Sequence, residues 1–242
     1  MSHWATEFYA GKTAVVIGGT SGIGHAIARA FRDAGAVVHA TGATEAEVSA
    51  ATGEGIAFTR FDVRDMAAVA AHAAAFGNTA AVVDCAGVNL RAAELTPDGF
   101  ETTIDINLNG TMRVAYAFRP KLSGGAFLGI GSMFSFFGAP HAPAYAASKG
   151  AVVQLVKSLA IAFATENIRV NALAPTVFRS ELTEWMYADD EKGRETREAM
   201  FARIPLRRFA EPRDFVGALI YLLSDASSFY TGQVMYLDGG YT

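Results

Sequence analysis

Short apolar runs alternate with longer amphipathic stretches from residue 12 to the end of the chain. The runs are KTAVVIG (12–18), AVVHAT (36–41), GIAFTRF (55–61), AAVVDCA (80–86), GAFLGIG (125–131), IRVNALA (168–174) and QVMYLD (233–238). Most are rich in β-branched residues and nearly all are apolar, as parallel strands covered on both faces must be. Helical patterns fill the intervals at 22–34, 44–51, 65–76, 97–118, 145–165 and 212–223. Strand–helix alternation with right-handed crossovers predicts a single α/β domain: a doubly wound parallel sheet of about seven strands with helices on both faces.

One stretch, at about 181–205, breaks the rhythm. Its sequence from residue 181, ELTEWMYADDEKGRETREAMFAR, is dense in charge and has no strand of its own. The charges fit a solvated surface helix pair, whereas Trp185, Met186, Tyr187, Met200 and Phe201 need cover. A segment with both characters is expected to lie over a substrate pocket.

Composition narrows the class. With 242 residues, 51% of them hydrophobic and 18% charged, the chain has material for one thick core. No apolar run approaches the ~20 residues of a membrane span, and MSHWATEFYAGK lacks the basic-then-apolar form of a secretion signal. The single cysteine, Cys85, excludes an internal disulfide framework and a cysteine-based zinc site, and fits a reducing cytoplasm. A net charge of −4 without a basic cluster argues against nucleic acid. The expectation is a cytoplasmic globular protein with no metal, nucleic-acid or membrane partner.

The first strand runs into Gly18-Gly19-Thr20-Ser21-Gly22-Ile23-Gly24, followed by the helical pattern HAIARAFRDAG. A glycine-rich turn between strand and helix lets backbone N–H groups approach a pyrophosphate, beside the positive end of the helix dipole. A tight structural turn would use the same glycines; the position inside the first strand–helix–strand unit favours the cradle. An acid ending the second strand would bind the adenosine ribose 2′-OH and repel a 2′-phosphate. Here that strand ends Thr41-Gly42-Ala43-Thr44, with neither an acid nor a basic clamp; Glu45 comes too late and reads as a helix start. The cofactor expected is NADP or NAD, with a lean to NADP. Asp62 and Val63, ending the third strand, could meet the adenine, although Asp62 could equally cap the helix that follows.

Tyr145 and Lys149 stand at i and i+4 of a helical pattern and so share one face. A cation there would favour the phenolate and lower the tyrosine pKa toward working pH. Ser132, just past the fifth strand, is placed to bind a substrate oxygen. A Tyr/Lys pair alone is common on helix surfaces. Together with the glycine loop and a serine at a strand's carboxyl end, it points to acid–base chemistry beside a dinucleotide.

On these residues the chain resembles the classical short-chain dehydrogenase/reductases along essentially its whole length. The resemblance implies a Rossmann-type fold and a hydride transfer between a secondary alcohol and its ketone. It implies the catalytic set Asn107, Ser132, Tyr145 and Lys149, with Asn107 in Ile106-Asn107-Leu108-Asn109-Gly110 helping to hold a water beside Lys149. It further implies cofactor contacts from Ala86 and Gly87, from Tyr145 and Lys149, from the backbone at Pro175 and Val177, and from the Ser180 hydroxyl. TGQVMYLDGG (231–240) resembles the family's last strand, which implies a homotetramer. The chain departs from the family pattern at Ile17, at Asp84-Cys85 where asparagines are usual, and at Pro175-Thr176. Asp84 replaces an amide that ties the central strands together; Cys85 reads as a buried filler.

Met133, Phe134, Phe136, Phe137 and His141 lie between Ser132 and Tyr145, where a pocket wall belongs, and about half of them should instead be core. His141 and Arg91 read more readily as surface residues than as substrate contacts. The run SMFSFFG and Asn89-Leu90-Arg91 resemble family members acting on sugars and polyols, and the aromatic residues would also suit a small aromatic ketone. Two rivals stand beside this reading: a 3-oxoacyl-thioester reductase, and a non-catalytic dinucleotide sensor on the same fold.

Overall fold

All seven apolar runs form strands, each trimmed at its ends: β1 (Thr13–Ile17), β2 (Val37–Gly42), β3 (Ile56–Arg60), β4 (Ala81–Asp84), β5 (Ala126–Ile130), β6 (Arg169–Pro175) and β7 (Val234–Leu237). The computed structural model describes residues 3–178 and 183–242, with the side chains of residues 3 and 4 left aside. The strands make one parallel sheet in the order β3-β2-β1-β4-β5-β6-β7. Winding reverses between β1 and β4, which opens a crevice at their carboxyl ends. Register sets those ends level: Ile17, Asp84, Gly129 and Ala172 form one row across four strands. The glycine loop, the residues after β4 and Ser132 therefore emerge along a single edge.

Both sheet faces are dry, which is why the strands read as continuous apolar runs rather than as alternation. Val16, Val38, Val83 and Leu128 face one core with α1 (His3–Tyr9), α2 (Gly22–Asp33) and α9 (Pro212–Leu223). Val15, Ile17, Val82 and Phe127 face the other, with α4 (Met66–Ala74), α6 (Gly110–Phe118) and α7 (Pro143–Phe163). The period-two alternation of side chains assigns each strand residue its face. Two short helices, α3 (Glu45–Ala50) and α5 (Pro97–Ile104), sit at the ends of the layers.

The structure differs from the sequence pattern in two places. The expected helix 97–118 is divided by a π-helical turn, Asp105–Asn109, between α5 and α6; side-chain periodicity barely registers one extra residue in a turn. Helix α1 has no counterpart in the sequence reading, and it is anchored by Tyr9, whose ring meets Phe31 edge-on at 4.9 Å. Helix α7 is apolar and long enough that composition alone would let it span a bilayer. Here its Val152, Val156, Leu159 and Phe163 are core residues.

Within the irregular stretch, Glu184–Tyr187 form a 3₁₀ turn and Glu191–Arg203 form α8. Met186, Tyr187, Met200 and Phe201 find their cover in a satellite cluster around Val177, Ile204 and Phe209. Trp185 lies outside that cluster, beneath the Arg91 guanidinium at 4.8 Å from its ring centre.

Candidate active site

The glycine loop is shaped by its neighbours. Gly18 has φ +71°, a left-handed conformation that suits glycine, and a Cβ there would stand 2.7 Å from the Ala86 amide nitrogen. A Cβ on Gly24 would stand 2.1 Å from the Gly18 carbonyl oxygen, so the first turn of α2 folds directly onto the loop. Thr41, expected as a cofactor contact, is instead buried behind the loop. It tethers it, its Oγ1 accepting from Gly18 N at 3.2 Å and its carbonyl from Gly19 N at 2.8 Å. Ser21 precedes α2 in extended conformation without a side-chain cap, which leaves first-turn N–H groups for a phosphate.

Ser132 caps the 3₁₀ turn Met133–Ser135, its Oγ accepting from Phe134 N at 3.2 Å. Ser135 completes the arrangement: its Oγ accepts from Ser132 N at 3.1 Å and donates to the Lys149 carbonyl at 2.7 Å. The loop after β5 and α7 are thus fixed to each other through one side chain. Tyr145 Oη faces the Ser132 hydroxyl, whose hydrogen bond favours the phenolate. Phe134 meets the Tyr145 ring edge-on at 6.3 Å.

The electrostatic direction at Tyr145 is the reverse of that expected from the Tyr/Lys pairing. Burial raises the phenol above its ordinary value, Ser132 opposes this, and the Glu94 carboxylate adds to it. Lys149 does not stand over the hydroxyl. Its Nζ lies 5.7 Å from the Tyr145 ring centre and donates to the Ile130 carbonyl at 2.8 Å. Burial lowers the lysine amine, with Asp84 as the leading opposing influence.

Asn107 occupies the π-helical turn and is fully buried. Its Nδ2 donates to the Val88 carbonyl (2.9 Å) and to Ser148 Oγ (3.0 Å), and its Oδ1 accepts from Val88 N (2.8 Å). A structural role for Asn107 is therefore real. Its carbonyl accepts from Thr111 Oγ1 at 2.8 Å. The space in front of Gly87 joins the set: a Cβ there would lie 3.3 Å from Asn107 Oδ1 and 3.5 Å from Lys149 Nζ. The buried Lys149 amine is a donor suited to the hydroxyls of a nicotinamide ribose, and the uncapped first turn of α2 beside Gly18–Gly24 suits the pyrophosphate. The residues present suit a dinucleotide at both ends.

Other predicted contacts are placed with less drama. Asp62 is not the cap of α4; Asp65 is, accepting from Ala67 and Ala68 amides. Asp62 is gripped by Arg64, which donates to both carboxylate oxygens and holds the carboxyl below its usual range. Val63 is buried against Gly110. Pro175 ends β6, and Val177 is buried next to the satellite cluster. Ser180 lies outside the described residues. Met133 is core, Phe136 and His141 are exposed, and Phe137 packs edge-on to Tyr241 at 5.7 Å. Burial pushes the Cys85 thiol up, so it is no nucleophile.

Sequence reasoning missed Glu94. This carboxylate is 1% exposed, yet it has two donors: Leu90 N on Oε1 at 2.9 Å and Tyr145 N on Oε2 at 2.8 Å. It thereby caps the first turn of α7 from outside the helix. Its partner is 51 positions away, so no local signal announces it.

A family model described as enoyl-(acyl carrier protein) reductase, of the short-chain alcohol dehydrogenase type, matches residues 17–242. An uncharacterised oxidoreductase of Mycobacterium tuberculosis is 45% identical, with 96% of this chain and 91% of the relative covered. The D-threitol dehydrogenase of Mycolicibacterium smegmatis is 36% identical over 96% of this chain and 93% of its own. Among solved structures, a gluconate 5-dehydrogenase from Burkholderia cenocepacia in complex with NADP and tartrate superposes with a TM-score of 0.89. It is 31% identical, with 99% and 98% of the two chains covered. These matches span nearly the whole chain, and the chain belongs to the short-chain dehydrogenase/reductase family of oxidoreductases.

Proposed function

We propose that the protein interconverts a secondary alcohol and a ketone on a polyol- or sugar-type substrate, with NAD(P) as hydride carrier. The observation that carries this reading is the pairing of the Ser132 and Tyr145 hydroxyls beside Lys149, whose Nζ lies 5.7 Å from the Tyr145 ring centre. When bound, the nicotinamide would supply or accept the hydride. In the reducing direction, Ser132 and Tyr145 donate hydrogen bonds to the carbonyl oxygen as negative charge gathers there, and Tyr145 Oη gives up its proton. Burial keeps Tyr145 protonated, which suits a donor. Lys149, whose amine the same burial lowers below its ordinary value, is suited to pass a proton on, while Asn107 fixes the loop after β4 beside it.

The polyol reading is supported by the D-threitol and gluconate relatives. The stretch from Thr183 to about 205 serves as the cover, linked to the site by the contact of Trp185 with Arg91. Tyr145→Phe is expected to bind dinucleotide normally and to lose about 10²–10⁴ in kcat, the range of general acid–base catalysis. Turnover is measured by NAD(P)H absorbance on a panel of polyols, sugar acids, cyclic ketones and a 3-oxoacyl thioester. Retained turnover in the variant overturns the mechanism; activity confined to the thioester overturns the substrate class.

A further inference from the structure

The sequence ends β2 without an acid, but the fold brings one there from elsewhere. Thr44 and Glu47 form a capping box at the start of α3: Thr44 Oγ1 accepts from Glu47 N at 3.2 Å. Glu47 Oε2 returns to accept from Ala43 N at 2.6 Å and Thr44 N at 3.4 Å. A Cβ built on Gly42 would stand 3.0 Å from this same Oε2 and 2.9 Å from Thr20 Cγ2. The Glu47 carboxylate thus lies beside the space a strand-end side chain would fill, next to a residue of the glycine loop.

We propose that Glu47 selects NAD over NADP, acting from α3 in place of the missing strand-end acid. The inference rests on the dinucleotide site described above and names its specificity determinant. Three observations converge. The carboxylate is at the edge of the strand where an adenosine ribose lies in this fold, and it can accept from ribose hydroxyls. A 2′-phosphate would bring about two negative charges against it, and the amides of Ala43 and Thr44 that could receive that phosphate are already bonded to Glu47. The cation nearest in register, Arg60 opposite Gly42, is paired with Glu45 at 2.9 Å. The lean to NADP drawn from residues 41–44 alone therefore reverses, because a carboxylate five positions past Gly42 is adjacent to it in space.

The test is calorimetric binding of NADH and NADPH to the wild-type protein and to Glu47→Gln. Glutamine preserves the capping box, so the change isolates the charge, and an unaltered Tm confirms it. Wild type is expected to bind NADH about tenfold or more tighter than NADPH, a gap like charges at close range can produce. In Glu47→Gln that preference should collapse, chiefly through tighter NADPH binding. Equal or tighter NADPH binding by wild type, or an unchanged ratio in the variant, overturns the role of Glu47 and leaves the oxidoreductase reading intact. Failure to bind either dinucleotide overturns both.

Discussion

Asp84 shows what one atom can do in this site. The position carries a carboxylate where the family's usual amide would donate as well as accept. Its Oδ1 accepts from Ala86 N at 3.2 Å, while its Oδ2 is buried without a hydrogen-bond partner. Thr111 stands beside it but gives its hydrogen to the Asn107 carbonyl. Burial raises the Asp84 carboxyl to about 6, against the pull of Lys149. Because the folded value lies above the unfolded one, Asp84 favours folding at low pH, and that contribution disappears as pH rises through about 6. Asp84→Asn is therefore expected to stabilise the protein at pH 8 by about 1–3 kcal/mol. The gain should shrink toward zero near pH 4. Chemical denaturation at the two pH values measures this, and an equal gain at both would exclude the titration of Asp84 as its source.

At the scale of elements, the catalytic helix is positioned by groups that are not on it. Ser135 ties it to the loop after β5, and Glu94, on the 3₁₀ segment Arg91–Leu95, caps its first turn at Tyr145 N. Glu94→Ala would orphan two N–H groups and release the Tyr145 backbone. A fall in kcat of about tenfold or more is expected, since small displacements at a reacting group are expensive. Glu94→Gln keeps an acceptor but removes a charge that raises the Tyr145 phenol. Alcohol oxidation needs the phenolate, so its rate climbs with pH; in Glu94→Gln the climb should begin at lower pH. A pH–kcat profile that drops without moving would mark Glu94 as structural only. The same segment carries Arg91 against Trp185, so the 3₁₀ turn at Glu184–Tyr187, the loop after β4 and α7 are joined by direct contacts.

At the scale of the molecule, apolar side chains stand exposed on the outer faces of α6 and α7. Ile161 on α7 is 81% exposed and Tyr116 on α6 is 60% exposed, with Met112 beside them on α6. If these helix faces take part in the tetramer that the resemblance implies, it should be seen by light scattering on the eluting protein. Ile161→Asp is expected to yield smaller species with activity per subunit reduced, because α7 also carries Tyr145 and Lys149. A wild-type monomer at working concentration would contradict this.

The strands were legible because both sheet faces are buried, so each is a run of apolar residues that no solvent-facing position interrupts. The glycine cradle and the Tyr145/Lys149 pair were legible because their geometry is local: a turn next to a helix start, and two positions one helical turn apart. Legibility ended where chemistry depends on residues far apart in the chain. Glu94 reaches Tyr145 across 51 positions, the direction of the Tyr145 shift follows from burial that only packing creates, and the π-helical turn at Asn107 hardly changes the spacing of apolar residues. Glu47 follows Gly42 by five positions in the sequence, but only the capping box folds its carboxylate back beside that glycine. Sequence alone determined the sheet and placed the glycine loop and the Ser132, Tyr145 and Lys149 side chains along its carboxyl edge, because local periodicity and motif spacing encode them. Tertiary structure decided which carboxylates face them and how burial sets their charge, because those energies depend on neighbours through space.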